Sequence, residues 1–388
     1  MTIKNRSQPE PQKFKVPFNL PYQTGGEIKA ILKALRGGQI SGDGFFTEQC
    51  SRWLENYLGL PKVLLTPSCT HALELAFLLL DIKSGDEIIL PSFTFPSTAN
   101  AFVLRGARPS FVDIRRDTLN MDETAVEEKI NSKTRAIATV HYGGIPCEMD
   151  WILRIAKRHG IPLVEDAAQA LGATYHGQLC GTFGSLNAFS FHETKNITCG
   201  EGGALAITGK KHIQRAEIIR QKGTDRSRFF RGEVDKYSWV DVGSSYVPSE
   251  LQAAFLFAQL KKQNLIYRRR RAIFQRYYEA LKPRELRGDI QLPFIPPHTR
   301  PSYHLFYVIF SSGKLRNKVL SGLRRNGIDS VFHYFPLHLS KMGRHFGYRA
   351  GDFPVTERVA PCLIRLPIFN SMTEKDQSVV IKALLKLF

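Results

Sequence analysis

Between residues 62 and 207, short apolar runs alternate with longer stretches of helical periodicity, and this pattern limits the fold more than any other feature of the chain. Runs at 63–65, 87–90, 110–113, 136–140, 162–165, 188–190 and 204–207 read as strands. Most are apolar at successive positions, so neither face can lie against water. Strands of that kind belong to a mostly parallel sheet covered by helices on both faces. Helix starts fall between them, at Ser68 or Thr70 ahead of residues 71–80 and near Glu148 and Asp150 ahead of residues 151–159. The predicted class is therefore α/β, with a mostly parallel central sheet sandwiched by helices. Open parallel sheets bind ligands beyond the carboxyl ends of their strands, which is where functional residues are to be sought.

A second pattern follows. Residues 249–263 read as a helix with Ser249 as its N-cap and apolar Leu251, Ala254, Phe255 and Phe257, and a basic helix continues to Leu281. Pro283, Pro293, Pro296, Pro297 and Pro301 then mark a boundary. Beyond it, a strand at 303–310, a helix at 314–326, a strand at 329–333 and a helix at 373–385 capped by Thr373 make a small α+β unit. The length of 388 residues allows two or three units at about 150 residues each. The expected division is an N-terminal extension at 1–15, a large domain at 16–265, and a small C-terminal domain at 266–388 that includes the connecting helix.

With 43% hydrophobic and 23% charged residues the chain is expected to be globular, and no apolar run reaches the roughly 18 residues of a bilayer span. Residues 1–15 are polar and lack the apolar stretch of a secretory signal, so a cytoplasmic location is expected. Cys50, Cys69, Cys147, Cys180, Cys199 and Cys362 include no CxxC pair, which fits free thiols and no metal site. Lys and Arg number 54 against 35 Asp and Glu, a net charge of +19 that attracts anions: nucleic acid, acidic headgroups or a phosphorylated small molecule. The run Tyr267-Arg268-Arg269-Arg270-Arg271, with Ile266, Ile273 and Phe274, reads as the solvated face of a helix. No nucleic-acid-binding signature accompanies it, so neither nucleic acid nor membrane is expected as a partner.

Four segments lie at the ends of strands. Thr66-Pro67-Ser68-Cys69-Thr70-His71-Ala72 opens a helix with small and hydroxyl residues, either an ordinary cap or a phosphate cradle. Pro91-Ser92-Phe93-Thr94-Phe95-Pro96-Ser97-Thr98 places Phe95 at the same edge, as core or as a ring that stacks on a flat ligand. Asp166 ends a strand where burial requires a cationic partner. Ser190-Phe191-His192-Glu193-Thr194-Lys195-Asn196 ends another strand with a lysine, itself followed by the glycine-rich Cys199-Gly200-Glu201-Gly202-Gly203. A lone lysine there is usually surface. A phosphate cradle, an aromatic ring, a carboxylate and a lysine in this order match what pyridoxal 5'-phosphate (PLP) requires.

These segments, with Ser41-Gly42-Asp43-Gly44, Val140-His141-Tyr142 and Cys147-Glu148-Met149-Asp150, make the chain resemble the DegT/DnrJ-type nucleotide-sugar aminotransferases, fold-type I PLP enzymes, from about Val16 to Phe388. Within that family the likeness is closest to the WecE-type dTDP-4-amino-4,6-dideoxygalactose transaminases. The resemblance implies that Lys195 is the Schiff-base lysine, acting as both nucleophile and acid/base, and that Asp166 pairs with the pyridinium nitrogen. It further implies Gln169 near the phenolic oxygen, Phe95 on the ring face, and Cys69, Thr70 and Ser190 around the phosphate. Family members are dimers in which a Gly-x-Asn-x-Arg segment reaches the neighbour's cofactor. Here that segment reads Gly243-Ser244-Ser245-Tyr246-Val247, a departure in which Ser245 keeps a hydroxyl donor and the arginine is missing.

By the same likeness, the basic segment from Arg220 to Arg228 with Arg231 either meets a diphosphate, chiefly through Arg226 and Arg228, or is a solvated loop. His333 and Tyr334 would line a sugar pocket, although His333 and His338 read equally well as packed histidines. The implied activity is transamination in two half-reactions, from L-glutamate to dTDP-4-dehydro-6-deoxy-D-glucose, in a homodimer serving surface-polysaccharide synthesis. Three alternatives compete: a sugar dehydratase of the same fold, a PLP-binding regulator, and a basic nucleic-acid-binding protein. The dehydratase carries histidine where this chain has Lys195, and retention of the whole lysine, aspartate and phosphate set disfavours the other two.

Overall fold

The computed structural model describes residues 14–387. Of the expected extension at 1–15, only Phe14 and Lys15 fall within that range. The central sheet contains β1 (Lys62–Thr66), β2 (Glu87–Pro91), β3 (Arg108–Val112), β4 (Thr134–Val140) and β5 (Leu163–Asp166). After the short hairpin β6 (Thr174–Tyr175) and β7 (Gln178–Leu179), it is completed by β8 (Leu186–Ser190) and β9 (Gly203–Ile207). The order is β1-β9-β8-β5-β4-β2-β3, and β9 alone runs against the rest. All seven runs marked in the sequence are strands of this sheet.

Alternation along the strands shows why both faces are apolar. Leu64, Leu205 and Ile207 point to one side, where they pack with Leu73, Phe77 and Phe102 from the helices Cys69–Leu79 and Pro96–Val103. Val63, Leu65, Ala204 and Ala206 point to the other, against Leu54, Ala254 and Leu256 from the helices Phe45–Leu58 and Glu250–Leu260. Among the described residues, no helix is long and apolar enough to cross a membrane.

The helix Gln263–Leu286 leads from the large sheet to a second unit built on β10 (Ile290–Gln291), β12 (Phe306–Phe310) and β13 (Leu363–Leu366), while β11 (Thr299–Arg300) joins the β6–β7 hairpin. Helices Gly313–Arg325 and Glu374–Leu385 cover this sheet, the latter closed by a capping box between Thr373 and Asp376. Phe93, Leu119 and Tyr142 of the large unit pack with Leu305, Tyr307 and Leu363 of the small one, so the two share an apolar seam at the carboxyl edge of the large sheet.

Three expectations are corrected. Residues 329–333 do not form a strand. Val331 makes one bridge to Arg365 and the chain then turns away, because His333 and Tyr334 bond to Tyr142 and Gln169 of the large unit. Pro283 does not end its helix: it stands in the last turn, where its missing N–H costs one bond, and the helix runs on to Leu286. The arginine run is not wholly solvated. Arg268, Arg269 and Arg271 are exposed, but Arg270 is 1% exposed, because it shares a helix face with Ile266, Ile273, Phe274 and Tyr277. Its Nε donates to the carbonyl of Tyr303 at 2.9 Å and its Nη2 to that of His304.

The Ser41–Gly44 motif is structural at close range. A Cβ on Gly42 would lie 2.1 Å from the carbonyl oxygen of Pro248, and one on Gly44 would lie 2.8 Å from Cδ of Glu250. Glu250 is buried and accepts from the backbone N–H groups of Gly44, Phe46 and Thr47 at 3.0, 2.7 and 3.0 Å, capping the helix Phe45–Leu58 from a distant part of the chain. Glu250→Ala leaves these donors unpaired, so urea denaturation of the variant should show a loss of about 2–4 kcal/mol.

Candidate active site

β5 ends at Asp166 and the chain then turns, so this carboxylate stands at the carboxyl edge of the sheet, buried. Its Oδ2 accepts from the hydroxyl of Thr98 at 2.7 Å and its Oδ1 from the backbone N–H of Ala168 at 3.1 Å. Both donors are neutral. Burial pushes the carboxyl above its ordinary range, and these bonds together with the charge of Lys195 only partly oppose it. On the neighbouring strand ends, His141 donates from Nε2 to Glu165 at 2.8 Å, while its Nδ1 accepts from the N–H of Cys147 at 3.1 Å. That arrangement leaves the imidazole neutral and makes it a fixed strut between β4 and β5.

Lys195 follows β8. Its backbone N–H donates to the carbonyl of His192 at 2.8 Å, and the next residue is pinned on three sides. Asn196 donates to the carbonyl of Ser302 at 2.7 Å, accepts from Nδ1 of His304 at 3.1 Å, and has its own carbonyl bound by Asn370 at 3.2 Å. Burial pushes the Lys195 amine below the usual lysine range. The negative charge of Asp166 opposes this and the guanidinium of Arg365 adds to it, so both groups share the lysine's surroundings.

The helix Cys69–Leu79 points its N-terminus at the same place, with Ser68 as the cap accepting from the N–H of His71 at 3.2 Å. Thr70 donates to Ser97 at 2.8 Å. Ser190 pairs across the ladder with Gly203, and a Cβ on Gly203 would sit 2.4 Å from the nitrogen of Cys69, so only glycine lets β9 approach the helix start. Burial holds the Cys69 thiol protonated, well above its ordinary value. Gln169 bridges the N–H of Gly143 at 2.7 Å and the hydroxyl of Tyr334 at 2.9 Å. Phe95 is not core. It is 56% exposed, with its ring 6.3 Å from that of Tyr334.

The structure thus gathers Cys69, Thr70, Phe95, Asp166, Gln169, Ser190, Lys195, His333 and Tyr334 along one edge. It places the remaining expected residues elsewhere. Ser245 and Arg226 line a cleft of about 1130 Å³ with Gly42, Lys62 and Lys222, and Lys195 and Asp166 are not among its walls. Arg228 pairs with Glu233 at 3.2 Å. Arg220 is buried, bonded to Asp43 at 2.7 Å and to the carbonyl of Leu65, so it is not available to a diphosphate. His338 is fully buried between Ser92 and Glu357 and is a packing residue. Missed in the sequence were Thr98, Tyr142, His304, Asn370 and Arg365. The one signal for Arg365 is a charged residue within the otherwise apolar Leu363–Leu366.

A buried carboxylate bonded only by neutral donors, a depressed lysine and a helix N-terminus together suit PLP. A pyridinium N–H at Asp166 would supply the absent positive partner, and a phosphate at Cys69 and Thr70 would meet the helix dipole. The comparisons agree. A family model described as the DegT/DnrJ/EryC1/StrS aminotransferase family matches residues 21–385. The chain is 32% identical over 376 residues to the spore coat polysaccharide biosynthesis protein SpsC of Bacillus subtilis, covering 95% of this chain and 96% of that protein. Its structure is similar to Spr1654 of Streptococcus pneumoniae in the PLP-form, with a TM-score of 0.88, 27% identity and coverage of 96% and 99%. It is also similar to Helicobacter pylori PseC, an aminotransferase involved in the biosynthesis of pseudoaminic acid, with a TM-score of 0.88, 25% identity and coverage of 97% and 99%.

The fold is that of the fold-type I PLP-dependent aminotransferases. Among them the chain belongs to the DegT/DnrJ/EryC1/StrS family of sugar aminotransferases.

Because the folded-state pKa of Asp166 is raised, its carboxylate destabilises the cofactor-free protein as pH rises through that raised value, and the penalty is absent below the unfolded pKa near ~4. Cofactor-free Asp166→Asn should therefore melt at or above the wild type at pH 8, with the difference closing toward pH 4, while losing PLP affinity. Scanning calorimetry across this range reads the first effect and the visible absorbance of the reconstituted protein reads the second.

Proposed function

We propose that this sugar aminotransferase moves the amino group of L-glutamate to the keto carbon of a nucleotide-linked deoxysugar, converting dTDP-4-dehydro-6-deoxy-D-glucose to dTDP-4-amino-4,6-dideoxy-D-galactose for a surface polysaccharide of the enterobacterial common antigen kind. The observation that carries the chemistry is the depressed amine of Lys195 beside the buried carboxylate of Asp166. Bound PLP supplies an aldehyde for the lysine and an electron sink for the reacting carbon. Lys195 Nζ, neutral for part of the time, removes the α-proton of the donor and later delivers a proton to the sugar carbon that receives nitrogen. Asp166 would hold the proton on the ring nitrogen, Gln169 would lie near the phenolic oxygen, Phe95 would cover the ring, and Cys69, Thr70 and Ser190 would hold the phosphate. Tyr334, fixed by Gln169, faces the sugar together with His333. The polysaccharide role is supported by the likeness to SpsC, a spore coat polysaccharide biosynthesis protein, and the dTDP-linked substrate by the WecE-like motifs.

Ser245, Arg226 and Lys222 lie in a cleft apart from Lys195, and next to it Phe230, Trp239 and Val242 are exposed. We infer a homodimer in which a second copy covers this apolar patch and Ser245 and Arg226 of one protomer complete the site of the other.

The purified protein should be yellow, L-glutamate should bleach it, and one of a panel of dTDP- and UDP-linked keto sugars should restore the colour. NMR of the aminated product identifies the ring carbon and its configuration, and sedimentation velocity gives the protomer number. Lys195→Ala should lower turnover at least about 10,000-fold, and undiminished transamination in that variant would remove the lysine from this role.

A further inference from the structure

The residue after Lys195 is held by the small unit from three directions. The amide nitrogen of Asn196 donates to the carbonyl of Ser302 at 2.7 Å, its amide oxygen meets Nδ1 of His304 at 3.1 Å, and its backbone carbonyl accepts from the amide of Asn370 at 3.2 Å. A carbonyl can only accept, so the bond to Ser302 fixes which way the Asn196 amide faces and makes Nδ1 of His304 the donor of the second bond. Burial and the charges of Lys195, Arg270 and Arg365 push that imidazole well below its ordinary value, which keeps it neutral in this tautomer. Ser302 and His304 lead into β12 and Asn370 follows β13. The buried Arg270 binds both approaches, through the carbonyls of Tyr303 and His304 on one and that of Ile368 at 3.5 Å on the other. Ser302 is tied in turn to the large unit, its hydroxyl to the carbonyl of Gln169 and its N–H to that of Gly144 at 3.0 Å. A Cβ on Gly144 would lie 1.9 Å from that hydroxyl, so only glycine admits the approach.

The loop does not need this clamp in order to close, because the N–H of Phe191 already bonds to Gly202 at 2.8 Å and that of Cys199 to Phe191 at 2.9 Å. A lysine, however, reaches its amine through a flexible carbon stem, so whatever fixes the adjoining backbone limits where the amine can point. We propose that Asn196 is a positioning residue through which the small unit aims the amine of Lys195. This rests on the reading above in which Lys195 binds PLP and moves protons, and it identifies what holds the amine in place for both tasks.

The surroundings of the amine show what the clamp preserves. Burial pushes it down, the thiol of Cys69 and the carboxyl of Asp166 act on it from the large unit, and Arg365 acts from the small unit, with His304 and His333 also close enough to feel its charge. The thiol is protonated and both imidazoles are neutral, so its charged neighbours are Asp166 and Arg365, which oppose each other. The depression therefore depends on keeping the amine out of water, and an amine free to swing would regain hydration and lose it. A group that held one substrate would matter in one half-reaction. A group that aims Lys195 matters equally in both, since the same amine serves each.

Borohydride reduction of the PLP-loaded wild type, followed by peptide mapping, should place the adduct on Lys195, and an adduct elsewhere removes the reading on which the proposal rests. The aim of the amine is then read on the cofactor-free protein, by trace labelling with acetic anhydride across pH and mass spectrometry of the peptide that carries Lys195. Asn196→Ala should raise the midpoint of labelling by about one pH unit, toward that of an exposed lysine. In the loaded protein it should slow both the bleaching at saturating L-glutamate and the return of colour from the pyridoxamine form at saturating 2-oxoglutarate by a common factor on the order of 30-fold, with half-saturating concentrations changed less than about threefold. His304→Asn, whose amide can place a donor where Nδ1 stands, should stay within about threefold of wild type, whereas His304→Leu should raise the midpoint and slow both directions about 10-fold. Asn370→Ala removes only the bond to the Asn196 carbonyl and should act in the same direction, which keeps the test open if Asn196→Ala does not fold. A labelling midpoint that stays in place in these variants, or a loss confined to one direction or to the half-saturating concentrations, overturns the proposal. Equal losses in His304→Asn and His304→Leu would move the effect from the bond to the imidazole and overturn it as well. If glutamate does not bleach the wild type, the donor reading fails, and the labelling still decides the role of Asn196.

Discussion

A carboxylate withdrawn from water at the end of a parallel strand, with no cation bonded to it, is the condition around which the large unit is organised. Asp166 is held by a threonine hydroxyl and one backbone N–H, which fix its direction without cancelling its charge. Each of these contacts has its own support. Thr98 stands on a helix opened by Pro96 at the end of β2, and Ala168 lies in the turn that leads to Gln169. The neutral His141 braces the strand on the other side. The result is a preorganised negative point with its stabilisation left incomplete. A cationic ring at this position would complete it, and Lys195 stands in the same field.

The one reversed strand makes this geometry possible. Because β9 runs against its neighbours, its first residue rather than its last reaches the carboxyl edge, and Gly203 pairs there with both Thr66 and Ser190. The loop bearing Lys195 is therefore enclosed by β8 on one side and β9 on the other. It is closed by bonds from the N–H of Phe191 to Gly202 at 2.8 Å and from the N–H of Cys199 to Phe191 at 2.9 Å. The same reversal would push a side chain at 203 into the backbone of Ser68 and Cys69, so the glycine-rich segment after the lysine serves close approach rather than mobility. The small unit then fixes the loop from above: Arg270 holds the carbonyl of Tyr303, a non-glycine residue at φ 55°, and this turn presents Ser302 and His304 to Asn196.

How much of this was legible in the sequence follows from the range of each interaction. All seven strands of the large sheet could be read, because apolar runs buried on both faces need no partner to be recognised. Asp166 ends such a run and Lys195 follows one, so the local pattern marks both positions as candidates. The strand expected at 329–333 failed for the opposite reason: its residues are diverted by Tyr142 and Gln169, contacts across more than 160 positions that no local pattern contains. Arg270 looked like one more solvated arginine, although the apolar residues at 266, 273, 274 and 277 already placed it on the inner face of its helix. Arg365 was invisible in a different sense. Its strand was not recognised, so nothing showed that a charge would be buried there.

The positive groups of this chain differ in how they are paired. Lys62, Lys222 and Arg226 line a broad cleft, but Asp43, Glu48, Glu55 and Glu217 line it too, and Lys62 is paired with Glu217 at 3.0 Å. Arg365 stands singly, at depth, among groups that are polar but uncharged. A neutral imidazole on one nitrogen and an aromatic ring on one face keep the guanidinium oriented without spending its charge.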